Sequence, residues 1–220
     1  SKLLAYPLRT INYLVDFEKS VKDPTTDKLL PDPVQPPYYQ PPYTVVIELN
    51  NILLSPFYEV VIFTSESLMN AAPIMASIDS RGEYIYFRLF RDATRYRDGI
   101  HYKDLSCLNR DLSKVIMVDF DKKVTSLQKD NALIVPKWDG DDRDRELLDL
   151  AAFLRMVAMS GVDDIRPTLE NYSQYDDPLA EFRLRQSQLL DYENQRKKET
   201  ELATKSKRPT GFSSFTKPKI

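Results

Sequence analysis

The sequence predicts an α/β fold with a mostly parallel central sheet, and three observations carry that prediction. Residues 45–49 and 58–64 are continuous β-branched and aromatic runs, the pattern of strands buried on both faces. Residues 67–78 then read as a crossover helix, with Leu68, Ala71, Ile74 and Met75 on one face and Ser65 or Ser67 as its N-cap. A strongly amphipathic helix follows at 144–159, with acids in its first turn and Leu148, Leu150, Ala151, Phe153, Leu154 and Val157 at core spacing.

The remaining elements follow in chain order. Residues 3–21 place Leu3, Leu4, Leu8, Ile11, Leu14, Val15 and Phe17 at the spacing of an amphipathic helix. Pro24 and the prolines of 31–42 forbid regular structure, so residues 30–43 read as an extended polyproline strip, either a stiff linker or a partner-contacting surface. Residues 84–90, 115–120 and 133–135 supply further short strands. Residues 162–172 read as a short helix and 177–202 as one long polar helix. Its apolar positions Leu179, Phe182, Leu184, Leu189 and Leu190 thin out after Tyr192, so only its first half has much to pack with. Residues 204–220 are rich in Lys, Ser, Thr and Pro and are expected to be weakly ordered alone. The expected division is an arm at 1–42, a domain at 43–175 and a C-terminal helix and tail at 176–220.

Composition narrows the function classes. The 220 residues are 42% hydrophobic and 29% charged, globular values with enough chain to bury a core. A net charge of -2 argues against a nucleic-acid surface and leaves room for a cationic partner. The single cysteine, Cys107, makes no internal disulfide, and with His101 the only histidine a zinc site is not expected. No run approaches the roughly 20 apolar residues of a membrane span. The chain starts at Ser1 without a signal peptide, and the expectation is a fragment whose targeting and membrane segments have been removed.

Several motifs together carry a family resemblance. They are Thr64-Ser65-Glu66 after a buried strand, Lys103-Asp104-Leu105-Ser106-Cys107-Leu108-Asn109-Arg110-Asp111, the strand Val115-Ile116-Met117-Val118-Asp119, and Asn131-Ala132 followed by Pro136-Lys137-Trp138-Asp139-Gly140-Asp141. In this order they resemble the haloacid-dehalogenase-like phosphatases related to the RNA polymerase tail phosphatases. That resemblance implies a three-layer haloacid-dehalogenase-like fold. Leu29-Leu30-Pro31-Asp32-Pro33 with its Pro-Pro-Tyr strip, and Phe90-Arg91-Asp92-Ala93-Thr94-Arg95-Tyr96 with Asp98-Gly99, resemble more narrowly the presequence-receptor branch of these proteins. The branch implies a mitochondrial inner-membrane location facing the intermembrane space, anchored by an N-terminal span. It also implies the channel-forming and other translocase subunits, and incoming basic presequences, as partners.

The resemblance also exposes a degenerate site. An active member uses one aspartate as nucleophile and a second, two residues on, as general acid and base at the carboxyl end of the first strand. Here the first position is Glu48, whose extra methylene displaces the carboxylate by about an ångström, an error worth roughly a hundredfold in rate. Asn50 in the second position cannot exchange a proton, and Ile52 replaces a phosphate-binding threonine. The later acidic pair is reduced to Asp119 followed by Phe120, with Asp121 one place too far along to point the same way. Too few anionic ligands remain for magnesium, so no cofactor is expected unless a phosphatase activity persists. Thr64, Ser65 and Lys103 still match phosphate-binding positions, with hydrogen bonding to the loops as their plainer role. Residues 53–57 join the first two strands where relatives carry a longer insertion. Parallel neighbours need about a dozen residues or more, so a segment is expected to be missing near 54–57.

Other candidates have structural readings beside functional ones. Asp139, Asp141, Asp142, Asp144 and Glu146 surround a helix start, where acids ordinarily complement the dipole; the functional alternative is docking of basic amphipathic presequences. Trp138 reads as a loop anchor, His101 as structural and Cys107 as a buried small residue. Arg91, Arg95 and Arg97 offer a phosphate-binding group as the functional reading and, beside Asp92 and Asp98, surface pairs as the plainer one. The resulting expectation is a catalytically silent, phosphatase-like binding module. The rivals are a low-activity phosphoserine or phosphotyrosine phosphatase using Glu48, and a structural subunit of a membrane assembly.

Overall fold

A computed structural model describes residues 22–47, 57–137, 141 and 145–206, with side chains to residue 201. Its centre is a five-stranded parallel sheet in the order β3-β2-β1-β6-β7. The strands are β1 (Tyr43–Ile47), β2 (Tyr58–Phe63), β3 (Phe87–Leu89), β6 (Val115–Asp119) and β7 (Ala132–Ile134). A separate antiparallel hairpin, β4 (Arg95–Arg97) and β5 (Ile100–Tyr102), leaves the sheet between β3 and β6. Every residue of β1, β2 and β6 is buried, which is why those runs lack polar alternation. The helices are α1 (Leu68–Ile78), α2 (Glu146–Ser160), α3 (Arg166–Ser173) and α4 (Pro178–Ser206).

The sheet faces two distinct cores, because successive side chains on a strand point opposite ways. On one face Val45, Ile47, Val60, Ile62, Ile116, Val118 and Leu133 meet Ala71 and Met75 of α1, Phe153, Leu154 and Val157 of α2, Leu169 and Tyr172 of α3, and Phe182 of α4. On the other, Val46, Val61, Phe63, Met117 and Ala132 meet Leu30, Leu105 and Leu108. Tyr58 and Tyr43 lie under the first face, their hydroxyls donating to the carbonyls of Leu154 at 2.8 Å and Val162 at 3.0 Å. Burial pushes the Tyr58 hydroxyl pKa up.

Residues 22–42 are strapped to the domain rather than hanging from it. Leu30 is 1% exposed, and Asn109, at φ 60°, donates its amide to the Leu30 carbonyl and to Asp32 at 3.0 and 2.9 Å. Arg110 grips Glu59 of β2 through two bonds of 2.7 and 2.8 Å and donates to the Pro31 carbonyl at 2.6 Å. The planar guanidinium fork is what permits both contacts at once. Beyond this anchor the proline strip is irregular with a turn at 36–38 rather than one extended run. Tyr38 and Tyr39 are 74% and 67% exposed.

The helices and strands depart from expectation at their edges. Ser67 caps α1, but the helix buries only Ala71 and Met75; Leu68 and Ile74 are 58% and 49% exposed. One turn-spaced pair suffices to seat a short helix on the sheet, so the broader stripe faces solvent. Leu148 of α2 is likewise exposed, and β3 shrinks to Phe87–Leu89 because Asp79 captures the backbone N–H groups of Glu83, Tyr84 and Ile85. The helix expected at 3–21 lies outside the described residues. So does most of the β1–β2 connection, including 54–56, where a missing segment was expected.

Candidate functional site

The carboxyl edge of the parallel sheet gathers the residues singled out from the motifs. Ile47 pairs with Ile62 of β2 and Val118 of β6, so Thr64 and Asp119 flank the end of β1. Glu48, Asn50 and Ile52 lie outside the described residues. Thr64 is fully buried, its backbone N–H bonded to the Leu89 carbonyl and its hydroxyl accepting from the Glu66 N–H at 3.1 Å. That second bond folds the chain toward Ser67 and starts α1.

Lys103 enters the site from the loop after β5. Its backbone N–H bonds the Val124 carbonyl, while the next residue, Asp104, accepts from the backbone N–H and hydroxyl of Ser106, from Gln128 and from Arg95. With the backbone pinned on both sides, the lysine side chain points inward, and its ammonium reaches Asp119 Oδ2 at 2.5 Å with both side chains 1% exposed. Burial lowers the Lys103 pKa, and the Asp119 charge and hydrogen bond oppose that shift. The other carboxylate oxygen of Asp119 accepts the Asp121 N–H at 2.9 Å. The Asp121 charge, like that of Asp119, opposes the effect of burial on Lys103.

This arrangement bears on what chemistry the edge can perform. Both oxygens of Asp119 are engaged, and among the described residues no group of three or more His, Cys, Asp or Glu is placed to hold a metal ion. Phe120 stands 41% exposed with the Lys137 ammonium 5.3 Å above its ring, a cation–π contact in place of a second carboxylate.

The other candidates take structural posts. His101 pairs with the Thr94 hydroxyl at 2.8 Å and lies against Tyr96; burial, then the nearby Arg91, lower its pKa, so it is neutral at pH 7. Arg95 pairs with Asp104 and Asp23 rather than with Asp92 or Asp98, and Arg91 bonds the Ser65 carbonyl. Cys107 is half-buried, with its Sγ 3.8 Å from the Arg95 guanidinium. Of the acidic group, Asp141 is exposed and Glu146 sits half-buried in the first turn of α2. Asp139, Asp142, Asp144 and Trp138 lie outside the described residues. Sequence reasoning missed the Arg110–Glu59 clamp, because nothing in the spacing of residues 51 apart announces a contact.

Comparison with known proteins adds a name to the motifs. Residues 43–166 match the model of the NLI interacting factor-like phosphatase family. Two similar relatives are both called mitochondrial import inner membrane translocase subunit TIM50. The one from Danio rerio is 48% identical across 86% of this chain and 55% of its own length. The one from Homo sapiens is 47% identical across 86% of this chain and 60% of its own length. The chain thus spans rather more than half of these relatives. Among solved structures, the RNA polymerase II CTD phosphatase Fcp1 aligns with a TM-score of 0.33 at 18% identity, covering 56% of this chain and 36% of that one.

Proposed function

We propose that this chain, which belongs to the NLI interacting factor-like phosphatase family, serves as a non-catalytic, presequence-binding subunit of the mitochondrial inner-membrane import translocase. The single observation that carries the reading is the 48% identity to a translocase subunit across 86% of the chain. The domain would face the intermembrane space and engage the channel-forming subunit alongside incoming presequences. Two features favour binding over catalysis. Glu48, Asn50 and Ile52 occupy the positions where the chemistry needs two aspartates and a threonine. The Lys103 charge, which would otherwise attract a phosphate, is neutralised by Asp119.

Capture of a basic amphipathic helix calls for negative charge beside apolar surface. The acids Asp139, Asp141, Asp142, Asp144 and Glu146 supply the first. Titrating the protein with a presequence peptide is expected to show binding that weakens with salt. Alanine at Asp139, Asp141 and Asp142 is expected to reduce both affinity and salt dependence. Unchanged affinity and salt dependence in the triple variant would remove the acidic loop from the reading. A phosphopeptide assay on the same sample decides the enzymatic rival: magnesium-dependent turnover abolished by Glu48→Gln would overturn the proposal.

A further inference from the structure

Helix α1 carries a second apolar seam, apart from the one that seats it on the sheet. The helix holds no charged residue, and only Ala71 and Met75 are buried. Leu68, Met69, Ala72, Pro73 and Ala76 recur at i, i+1, i+4, i+5 and i+8, which places them along one side of the helix. All five are exposed, Leu68 by 58% and Met69 by 86%. A surface helix ordinarily turns charged and polar residues to solvent. One that stays apolar beyond its buried face has the pattern of a helix with a second partner. Ala72 and Ala76, one turn apart, let another backbone come close, and Leu68 and Met69 offer larger side chains at the start of the seam.

The described chain begins beside the start of this seam. Thr25 donates its backbone N–H to the Asp92 carbonyl at 3.1 Å, and Asp23 pairs with Arg95. Next to Asp92, Arg91 donates its backbone N–H to the Glu66 carbonyl at 3.0 Å and its Nε to the Ser65 carbonyl at 2.7 Å. Residues 23–25 are thereby tied to the stretch that leads into Ser67, the cap of α1. The residues that precede this anchor, 1–21, have an apolar seam of their own. Pro7 suits the first turn of a helix, and after it Leu8, Ile11, Leu14 and Val15 recur at i, i+3, i+6 and i+7, with Arg9, Asn12 and Asp16 as a polar stripe beside them. In helical form Leu8 to Val15 spans about 11 Å, and Leu68 to Ala76 spans about 12 Å.

We propose that residues 8–17 of this chain fold back as a helix and dock on the α1 seam that runs from Leu68 to Ala76. The segment leads to an anchor where the seam begins, and its apolar stretch has the length of the seam. Tethering presents it at an effective concentration on the order of millimolar, so a contact too weak to join two separate molecules still closes within one. A helix this short is marginal alone in water, so it needs a partner face as much as the seam needs cover. With no charge on α1, the stripe of Arg9, Asn12 and Asp16 is left to solvent. Residues 22–42 are already strapped to the domain through Leu30 and Arg110, and docking would carry the strap back along the rest of the expected arm at 1–42. The inference does not depend on the import role.

Amide hydrogen exchange read by mass spectrometry on the full chain tests this. Residues 8–17 are expected to exchange about tenfold more slowly than an unstructured chain. Met69→Glu with Ala72→Glu, both at exposed positions outside the core, is expected to abolish that protection while β1 and β6 keep theirs. Leu8→Glu with Ile11→Glu is expected to do the same from the other side of the contact. Unchanged protection of β1 and β6 separates lost docking from a lost fold in either variant. Unprotected residues 8–17 in the parent chain, or protection that survives the α1 pair, overturns the proposal. Sedimentation showing a dimer that both pairs dissolve overturns it in favour of a second copy. Protection that appears only on adding vesicles of anionic lipid overturns it in favour of a membrane surface.

Discussion

At the scale of single residues, the buried pair Lys103–Asp119 ties the loop after β5 to the end of β6. Two opposite charges that are each 1% exposed hold each other in a place where neither is tolerated alone. Lys103→Ala strands the Asp119 charge and is expected to cost about 3–5 kcal/mol of unfolding free energy in denaturant titration. Lys103→Met with Asp119→Asn, which removes both charges, is expected to recover most of that loss. Asp104 next door gives a pH signature. Burial pushes its pKa up, but the bonds from Ser106, Arg95 and Gln128 outweigh burial and hold it below its ordinary value of 3.8. A carboxylate held low contributes stability that is fully present above its unfolded pKa and lost as pH falls through its folded one. Stability measured by chemical denaturation is therefore expected to fall below about pH 3.8 less steeply in Asp104→Asn than in the parent. Thr64, Lys103 and Asp119 stood out from their motifs, and the structure sets Thr64 and Asp119 at the ends of the strands on either side of β1. The partners of Asp104 were not legible, because 24 residues separate it from Gln128 and only folding brings them within 3.0 Å.

At the scale of elements, burial rather than periodicity decided which positions of a segment matter. The continuous apolar runs identified β1, β2 and β6 correctly, since a strand covered on both faces has no polar side to mislead the reader. Helix α1 was found with its cap but with a stripe twice as wide as the one it buries. The strap around Leu30 shows the opposite error: a proline-flanked leucine reads as linker, yet it fills the second core beside Leu105 and Leu108. Leu30→Ala is expected to cost about 2–5 kcal/mol, the range for a truncated core leucine, visible as a lowered denaturant midpoint with an unchanged slope. A loss below about half a kcal/mol, the usual span of surface substitutions, would mean that the strap is dispensable.

At the scale of the whole molecule, the described residues divide into two units, one ending at Phe182 and the other beginning at Arg183. Within the described part of the second, α4 leaves Leu184, Leu189, Leu190 and Tyr192 more than half exposed. Leu179 and Phe182 anchor its first turns in the core, but a helical stretch without a buried face has little beyond its own backbone bonds to hold it. Amide hydrogen exchange is expected to be faster along 183–201 than along α2, where Phe153 and Val157 are at most 1% exposed; equal protection would show that α4 has a packed partner. The sequence by itself determined the α/β class, the order of its principal helices and strands, and the family resemblance. These follow from local periodicity and residue chemistry, which are written in consecutive positions. The tertiary structure decided the strand order, the two cores and the clamp of Arg110 on Glu59. Each depends on which distant segments share a face or a free backbone edge, a pairing set by packing of the whole chain and not by spacing along it.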